Sequence, residues 1–294
     1  MIPFTQSPEA SVSAWGETGL IERIRTWLGD TCPPSPYGIG DDACLLGSRF
    51  VPDHERVMTT DALVWGRHFD RSAPPDRAAA KLVNRNLSDL AAMGAHPDIM
   101  LLNLYLSPNV SQKWIQSFFE GLAAACRPYG LKVVGGDIAD SARDEFAAFA
   151  TLAGSTQRPI LRVGGTPGDT LWVTGELGGS LLGKHLDFTP RVEVGTWLAL
   201  QPEVRSAIDL TDGLAKDLPA LLPDDGYAEL DFEVLPVSDA AREAACASGK
   251  SALEHVFCDG EDYELLFTVH SSSHPDTFTP KRTRALHIPL PRTG

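Results

Sequence analysis

The sequence predicts a mixed α/β (α+β) protein made of two domains. Its 294 residues, 43% of them hydrophobic, are enough to build a substantial core. Short apolar runs that are typical of strands alternate along the chain with longer segments of helical periodicity. Around residues 158–170 the composition shifts to glycine and proline, which favours a domain boundary there. We therefore expect one domain at 17–155 and a second at 165–294.

The elements of the first domain follow from apolar spacing. Residues 1–16 are polar and are expected to be loose. The expected order is a helix at 17–30, a proline- and glycine-rich loop at 31–46 that runs into a strand, a strand that begins at 56 and ends near Asp61, a helix at 74–95, a strand at 99–107, a helix at 111–130, a strand at 131–137 that ends in a glycine turn, and a strand at 145–155.

The second domain is expected to open with a strand at 170–175. A strand, turn and helix follow at 206–222, and a turn and strand at 258–269. Between them, residues 178–184 match the phosphate-binding pattern GxxxxGK, but His185 stands where that pattern needs Ser or Thr. Leu181 and Leu182 are expected to lie in a helix interior. We interpret the segment as the glycine-rich start of a helix, whose amides can still face an anion.

Composition excludes several classes of function. The net charge of −14 argues against nucleic-acid or anionic-membrane partners. The five cysteines are scattered and form no CxxC pair, which indicates neither a zinc site nor a disulfide framework and fits a reducing cytoplasm. The first residues have no basic region followed by an apolar run, and no apolar run is long enough to cross a membrane.

Acidic residues are concentrated in short, glycine-flanked segments at the ends of predicted strands. They are Asp41 and Asp42, Asp61, Asp137, Asp209 and Asp212, and Glu261 and Asp262, with Asp89 on a predicted helix. Because loops at strand ends can converge on one crevice, these acids could hold Mg²⁺ ions that bind a polyphosphate. Each also has an ordinary alternative. A solvated turn would explain the Asp41 loop, an N-cap would explain Thr211 or Asp212, and a pair with Arg85 would explain Asp89.

Seven motifs occur in a fixed order: GIGDDA, TTDALVWGRHF, NLSDLAAMGAHP, VVGGD, VTGELGGS, AIDLTDGLAKDL and GEDYELLFTV. In these motifs the chain resembles the thiamine-monophosphate kinases, part of a superfamily with aminoimidazole ribonucleotide synthetase, selenophosphate synthetase and the hydrogenase-maturation dehydratase. The resemblance covers about residues 20–269. The pair NLSDLAAMGA and GEDYELLFT is specific for the kinase branch, whereas the acidic loops mark only the superfamily.

The resemblance implies ATP-dependent phosphorylation of thiamine monophosphate to thiamine diphosphate, with several Mg²⁺ ions. It also implies a homodimer formed through the sheet of the N-terminal α/β domain, and a C-terminal α/β domain that covers the nucleotide. The implied magnesium ligands are Asp42, Thr59, Thr60, Asp61, Asp89, Asp137, Asp209 and Asp212. The implied ATP contacts are Gly136, Asp137, Arg162 and Thr211, and the implied contacts to thiamine monophosphate are His68 and Glu261. No catalytic base is expected, because the acceptor phosphate is already ionised.

The chain also departs from the family pattern. GGDIAD replaces GGDTT, Asp259 replaces a glycine before Glu261, and the sequence ends at Gly294, where the resemblance implies a continuation to an aromatic residue that packs on the substrate. Two alternatives therefore stay open. One is another enzyme of the superfamily, similar to aminoimidazole ribonucleotide synthetase, and the other is a nucleotide-binding protein with weak catalysis.

Overall fold

The structure, a computed structural model, divides into two compact units. The first contains residues 1–87 and 97–155, and the second contains residues 88–96 and 156–294. The described residues are 2–34, 37, 39, 53–223, 226–270 and the backbone of 283–286. The loop that contains Asp42 lies outside the described residues.

The first unit is built around a four-stranded sheet with strand order β1-β4-β2-β3, in which β2 and β3 are parallel. Its elements are α1 (Gly16–Leu28), β1 (Glu55–Val64), α2 (Pro75–Ala92), β2 (His96–Leu106), α3 (Gln112–Cys126), β3 (Lys132–Asp140) and β4 (Phe146–Thr156). The last turn of α2 belongs by its contacts to the second unit.

Side-chain alternation explains how the first sheet is covered. In β2 the residues Leu102, Leu104 and Leu106 are buried, while Leu101 and Tyr105, which point to the opposite face, are exposed. Successive strand residues point to opposite faces, so one face of this strand is buried and the other is exposed. An aromatic cluster fills this core, with ring centroids 4.7–6.2 Å apart among Phe69, Trp114, Phe118 and Phe146.

The expectation that residues 1–16 are loose is wrong. The amide of Thr5 donates to the Asn109 carbonyl at 2.8 Å, and the amide of Val12 donates to the Val110 carbonyl at 2.8 Å. The Phe4 ring packs against Trp65 with centroids 6.1 Å apart. The segment is polar in composition, but its backbone pairs with the connection between β2 and α3, which local composition cannot reveal.

Two predicted strand ends are also wrong. β1 continues past Asp61 to Val64, and β3 runs through Gly135, Gly136 and Asp137 instead of ending in a glycine turn. A Cβ atom at Gly136 would lie 1.8 Å from the Leu102 carbonyl oxygen. The glycine is therefore needed because the neighbouring strand passes so close, and not because the chain turns.

The second unit contains an antiparallel sheet with strand order β6-β7-β5-β8. Its elements are β5 (Thr170–Thr174), α4 (Lys184–Asp187), α5 (Val192–Ala199), β6 (Val204–Asp209), α6 (Leu214–Asp217), α7 (Asp239–Ser248), α8 (Ala252–Cys258), β7 (Leu265–Val269) and β8 (Thr283–Leu286). The buried core includes Leu171, Val173, Ile208, Val256 and Leu266. The mixed α/β class predicted from the sequence is confirmed. Within the described part of the chain, no helix combines the length and the apolar character that a membrane crossing requires.

We predict that Gly121→Ala destabilises the first unit. A Cβ at this position in α3 would lie 2.4 Å from the Asp76 Cα and 2.6 Å from the Asp76 carbonyl oxygen, so the helix must move. Overpacking of this kind costs about 1–3 kcal/mol. The control is Gly19→Ala in α1, where the nearest atoms are side-chain atoms at 3.3 and 3.4 Å. Chemical unfolding of both variants tests the prediction, and equal stability of the two would contradict it.

Candidate active site

Two acidic side chains of the second unit form the most unusual electrostatic feature of the described residues. Asp209, at the end of β6, is buried, and the Ser88 hydroxyl donates to its Oδ2 at 2.7 Å. Burial and, after it, the negative charge of Asp89 raise the pKa of Asp209 to about 7, although the Ser88 hydrogen bond and the positive charge of Arg162 act to lower it. Asp89, Arg162 and Asp209, three residues selected from the sequence, therefore lie near one another.

This arrangement fits a divalent cation. A buried carboxylate next to a second negative charge is stabilised by a nearby cation, and hard oxygen ligands are those that Mg²⁺ prefers. Among the residues that the structure describes, no three Asp, Glu, His or Cys side chains come together as a complete metal site. Mg²⁺ does not need one, because it commonly uses one or two carboxylates and completes its octahedron with water and substrate phosphates.

The turn after β6 is held by a different acid from those expected. The amides of Thr211 and Asp212 both donate to Asp217 Oδ2 at 2.9 Å. Neither residue caps α6, since the N-cap is Gly213 and it makes no side-chain capping bond. The exposed Asp212 carboxylate instead pairs with Lys216 at 2.6 Å. Asp217 thus shapes the turn while the Asp212 side chain faces solvent.

In the first unit, β1 presents the three consecutive residues that were expected to bind metal. Thr59 and Asp61 point to one face of the sheet and Thr60 to the other, as strand alternation requires. The Thr60 hydroxyl donates to the Ala150 carbonyl at 3.0 Å. Asp61 Oδ2 accepts from Arg85 Nε at 2.9 Å. The Arg85 considered above as a partner for Asp89 therefore has an ion pair within its own unit.

A cavity of about 120 Å³ opens beside the glycines of β3. Gly135, Gly136 and Asp137 form its polar side. Its apolar walls are Ile21, Ile24, Leu102, Leu104, Phe119 and Val133. A cavity with apolar walls, exposed glycine backbone and the two acidic residues Glu17 and Asp137 in its lining suits a flat heteroaromatic ring with a polar tail.

His68 is held in a tight turn directly after β1. Its Nδ1 accepts from the Val64 amide at 3.0 Å, which places the ring proton on Nε2. The fully buried ammonium group of Lys81 donates to the His68 carbonyl at 3.0 Å. The ring and the backbone carbonyl of His68 are therefore both held in place, which is a requirement for a histidine that positions a ligand.

The segment 259–264 adopts an uncommon backbone conformation. Glu261 has φ +55° and Tyr263 has φ +51°, both in the left-handed region that non-glycine residues rarely occupy. Tyr263 is buried and stacks on Phe188 with ring centroids 3.9 Å apart. Such conformations cost about 1–3 kcal/mol each and persist where the surrounding structure imposes them, often at functional sites. Glu261 contacts His185 at 3.1 Å.

A cluster of charged side chains lies at the end of this segment. Glu264 is 1% exposed, yet its carboxylate accepts from Arg191 Nε and Nη2 at 2.7 Å each, from Lys184 at 2.9 Å and from Thr174 at 2.6 Å. Removing either cation would leave buried negative charge, which is strongly unfavourable. Sequence reasoning did not find Arg191. Its signal, a lone arginine between two helices, has no local partner, because Glu264 lies far along the chain.

The glycine-rich segment that partly matches GxxxxGK does not form a phosphate loop. The Lys184 ammonium donates to Glu264 and to the Glu176 carbonyl. Leu181 and Leu182 are exposed, so the expectation that they lie in a helix interior is wrong, and α4 has only four residues. A Cβ at Gly179 would lie 2.4 Å from the Ala240 carbonyl carbon. Close packing against α7 explains this glycine.

Asp259, the departure noted in the sequence, has a structural partner. Its carboxylate lies 2.8 Å from His255 Nδ1 and accepts from the Gly179 amide at 3.2 Å. His255 Nε2 in turn contacts the Ser248 hydroxyl at 2.8 Å. The three side chains form a hydrogen-bonded chain that joins α7 and α8 to the glycine-rich turn.

Comparisons with known proteins agree with this fold. Residues 40–156 match the family model of the AIR synthase related protein, N-terminal domain. The chain is 39% identical to the thiamine-monophosphate kinase of Rhodopirellula baltica over 245 residues, which cover 81% of this chain and 77% of that protein. It is 35% identical to the thiamine-monophosphate kinase of Escherichia coli K12 over 281 residues, covering 87% and 83%.

The solved structure of AaThiL complexed with AMPPCP and TMP is also similar. It shares 28% identity, covers 94% of this chain and 91% of its own, and superposes with a TM-score of 0.73. The fold and the family model that matches residues 40–156 place the chain in the AIR synthase-related class. Within that class, the chain belongs to the thiamine-monophosphate kinase family. The resemblance inferred from the motifs is confirmed.

We predict that Asp262→Asn changes the pH dependence of stability. Burial raises the pKa of Asp262 from 3.8 to about 6, although the Ser180 hydroxyl, the charge of Lys184 and the Gly178 amide lower it. Since the folded-state pKa is the higher one, this group favours folding most below pH 4, and that contribution is lost as the pH rises to 6. The loss is roughly 3 kcal/mol for a shift of this size. Asparagine cannot titrate, so this part of the pH dependence should disappear.

Chemical unfolding between pH 4 and pH 7 measures the effect. The matched control is Asp239→Asn, which removes a fully exposed carboxylate in the same unit. That variant should keep the wild-type pH profile. An Asp262→Asn profile parallel to that of the wild type would show that the buried carboxyl is not the source.

Proposed function

We infer that the protein transfers the γ-phosphoryl group of ATP to thiamine monophosphate and forms thiamine diphosphate and ADP. The observation that carries this inference is the buried Asp209 beside the negative charge of Asp89, in a chain with the kinase motifs. The relatives named thiamine-monophosphate kinase and the similar structure with AMPPCP and TMP support both substrates. The reaction is a phosphotransfer to a phosphate group.

Charge determines what the site must do. Donor and acceptor are both phosphates, so they repel each other, and the chain adds a net charge of −14. When bound, Mg²⁺ supplies the positive charge that offsets this repulsion. Asp89 and Asp209 would hold one ion in the second unit, and Thr59 and Asp61 offer oxygen ligands in the first. The remaining candidates, Thr60, Asp137, Asp212 and the undescribed Asp42, complete the proposed ligand set.

The proposed contacts to the nucleotide and to the acceptor come from different groups of residues. The cavity beside Gly136 and Asp137 suits the adenine ring and sugar, and Arg162 and Thr211 would contact the phosphates. His68, fixed at both ends, and Glu261, fixed by its neighbours, would hold thiamine monophosphate. Since the acceptor oxygen is ionised, positioning and electrostatic stabilisation account for the rate without a protein base.

We also propose the domain assignment and the setting. Residues 17–155 would bind metal and ATP and form the dimer, and residues 165–294 would cover the nucleotide. The exposed apolar side chains of the first sheet, Met58, Leu101, Tyr105 and Phe149, form a face suited to a second copy of the chain. Cytoplasmic location fits the free cysteines found among the described residues.

Product analysis tests the function directly. The purified chain is incubated with ATP, Mg²⁺ and thiamine monophosphate, and the products are separated by chromatography. Thiamine diphosphate and ADP in equal amounts support the proposal. Release of ADP and free phosphate with the substrate of the ribonucleotide synthetase would favour that enzyme. Nucleotide binding without any product would favour a protein with weak catalysis.

We predict that Asp89→Asn lowers kcat at least about 100-fold while the melting temperature changes little, because the variant removes charge that holds the metal and keeps the side-chain shape. Asp212→Asn, at an exposed carboxylate paired with Lys216, is the comparison variant and should lose less. Activity and thermal unfolding are measured together. An active but less stable Asp89→Asn variant would show that the carboxylate only supports the fold.

We predict that Leu101→Lys with Tyr105→Lys converts a dimer into a monomer, since charges on this face cannot be buried against a second copy. The control is Leu200→Lys, which places the same charge on an exposed leucine of the second unit. Light scattering at micromolar concentration reports the mass. A monomeric wild type, or a dimeric double variant, would contradict the proposed interface.

A further inference from the structure

The segment 259–264 carries four acidic residues, and three of them are used to hold the fold. Asp259 accepts from His255 and the Gly179 amide, Asp262 accepts from the Gly178 amide and the Ser180 hydroxyl, and Glu264 is enclosed by Arg191 and Lys184. These contacts fix both this segment and the glycine-rich segment that faces it.

Glu261 differs from its neighbours in exposure and in the kind of partner it has. Its side chain is 22% exposed, compared with 1% for Glu264. Its partner is His185 Nδ1, 3.1 Å from Oε2, whose side chain is 18% exposed. Both groups can therefore be reached by a ligand, whereas the Glu264 cluster cannot.

The chemistry of the partner decides what Glu261 can bind. Lysine and arginine are permanent cations, and at Glu264 two of them cancel the carboxylate charge. A neutral imidazole can donate a hydrogen bond from Nδ1 and leave the negative charge of the carboxylate in place. A carboxylate that is held by a hydrogen bond and is still 22% exposed is suited to a cationic or amino-substituted heteroaromatic ring.

The backbone around both residues is anchored, so the contact has a fixed geometry. Lys184, directly before His185, bonds to Glu264 and to the Glu176 carbonyl, and Glu261 is held in the left-handed region between structural acids. A long glutamate side chain that is already oriented loses less conformational entropy when a ligand binds.

We propose that His185 is a positioning residue that orients the Glu261 carboxylate toward the positively charged ring system of the phosphate acceptor. This inference rests on the proposed function, because the acceptor is taken to be thiamine monophosphate. His185 stands where the GxxxxGK pattern needs Ser or Thr. The residue that breaks this pattern would therefore help to select the acceptor.

Two substitutions separate orientation from bulk. His185→Leu removes the donor and keeps much of the volume. His185→Asn keeps an N–H donor at about the same place on the side chain as Nδ1. Each is made alone and with Glu261→Ala, and thermal unfolding confirms that all variants are folded. Calorimetry measures the binding of thiamine monophosphate and, separately, of AMPPCP, and steady-state kinetics gives kcat/KM for the acceptor.

His185→Leu should weaken thiamine monophosphate about tenfold in the dissociation constant and in kcat/KM, which corresponds to about 1.4 kcal/mol. AMPPCP binding should stay within about twofold, and His185→Asn should recover most of the loss. On the Glu261→Ala background, His185→Leu should add no further loss, because the two residues act as one unit.

The opposite results overturn the proposal. They are unchanged acceptor binding in His185→Leu, equal weakening of AMPPCP, no recovery in His185→Asn, or losses that add in the double variant. A wild type that binds and phosphorylates thiamine monophosphate while the variants behave in any of these ways refutes His185 alone. A wild type that neither binds nor phosphorylates it refutes the proposed function, and this inference with it.

Discussion

Burial of negative charge is the constraint on which the second unit depends. An isolated carboxylate in a protein interior is expensive, and the cost must be met by cations, by hydrogen bonds or by protonation. Glu264 uses Arg191 and Lys184. Asp262 has only an amide and a hydroxyl on Oδ1, its Oδ2 has no hydrogen-bond partner in the described part of the chain, and its pKa is raised. The two buried acids therefore offset the cost of burial in different ways, Glu264 by ion pairs and Asp262 in part by protonation.

Asp209 is the opposite case to Glu264, whose charge is met by two cations. It is buried, its neighbour Asp89 carries the same charge, and the positive charge of Arg162 offsets these effects only in part, since the pKa of Asp209 stays raised. In an acidic protein whose proposed substrates are phosphates, a buried carboxylate beside a second negative charge is the feature on which the proposed Mg²⁺ binding rests. A bound Mg²⁺ ion would offset the repulsion between the two carboxylates and attract the phosphates of the nucleotide.

The sequence predicted the elements whose signals are local. The helical spacing of Leu20, Ile24 and Leu28 and the alternation of Leu102 and Leu104 correspond to α1 and β2. The wrong predictions concern residue types that occur for more than one structural reason. Glycine signals a turn, but Gly136 is required by the close passage of β2. Polar composition signals mobility, but the backbone around Thr5 pairs with the chain near Asn109.

The candidate site was predicted only as a set of residues, without their partners. Asp89 and Asp209 could be selected from motifs, but Ser88 as the donor to Asp209 could not, because the pair is separated by 121 positions. Arg191 was missed for the same reason, since its partner Glu264 is 73 positions away. Charge pairs of this kind follow from the tertiary fold and have no periodic signal in the sequence.

The glycine-rich segment shows how this limit affects function. Its letters nearly match a phosphate loop, in which backbone amides and a free lysine hold the phosphates. Here the Lys184 ammonium donates to Glu264 and to the Glu176 carbonyl, and the amides of Gly178 and Gly179 donate to Asp262 and Asp259. Groups that are satisfied within the protein cannot also cradle a triphosphate. The proposed route for phosphate binding is therefore through metal ions held by the acidic residues, because the lysine and the Gly178 and Gly179 amides of this segment already have partners within the protein.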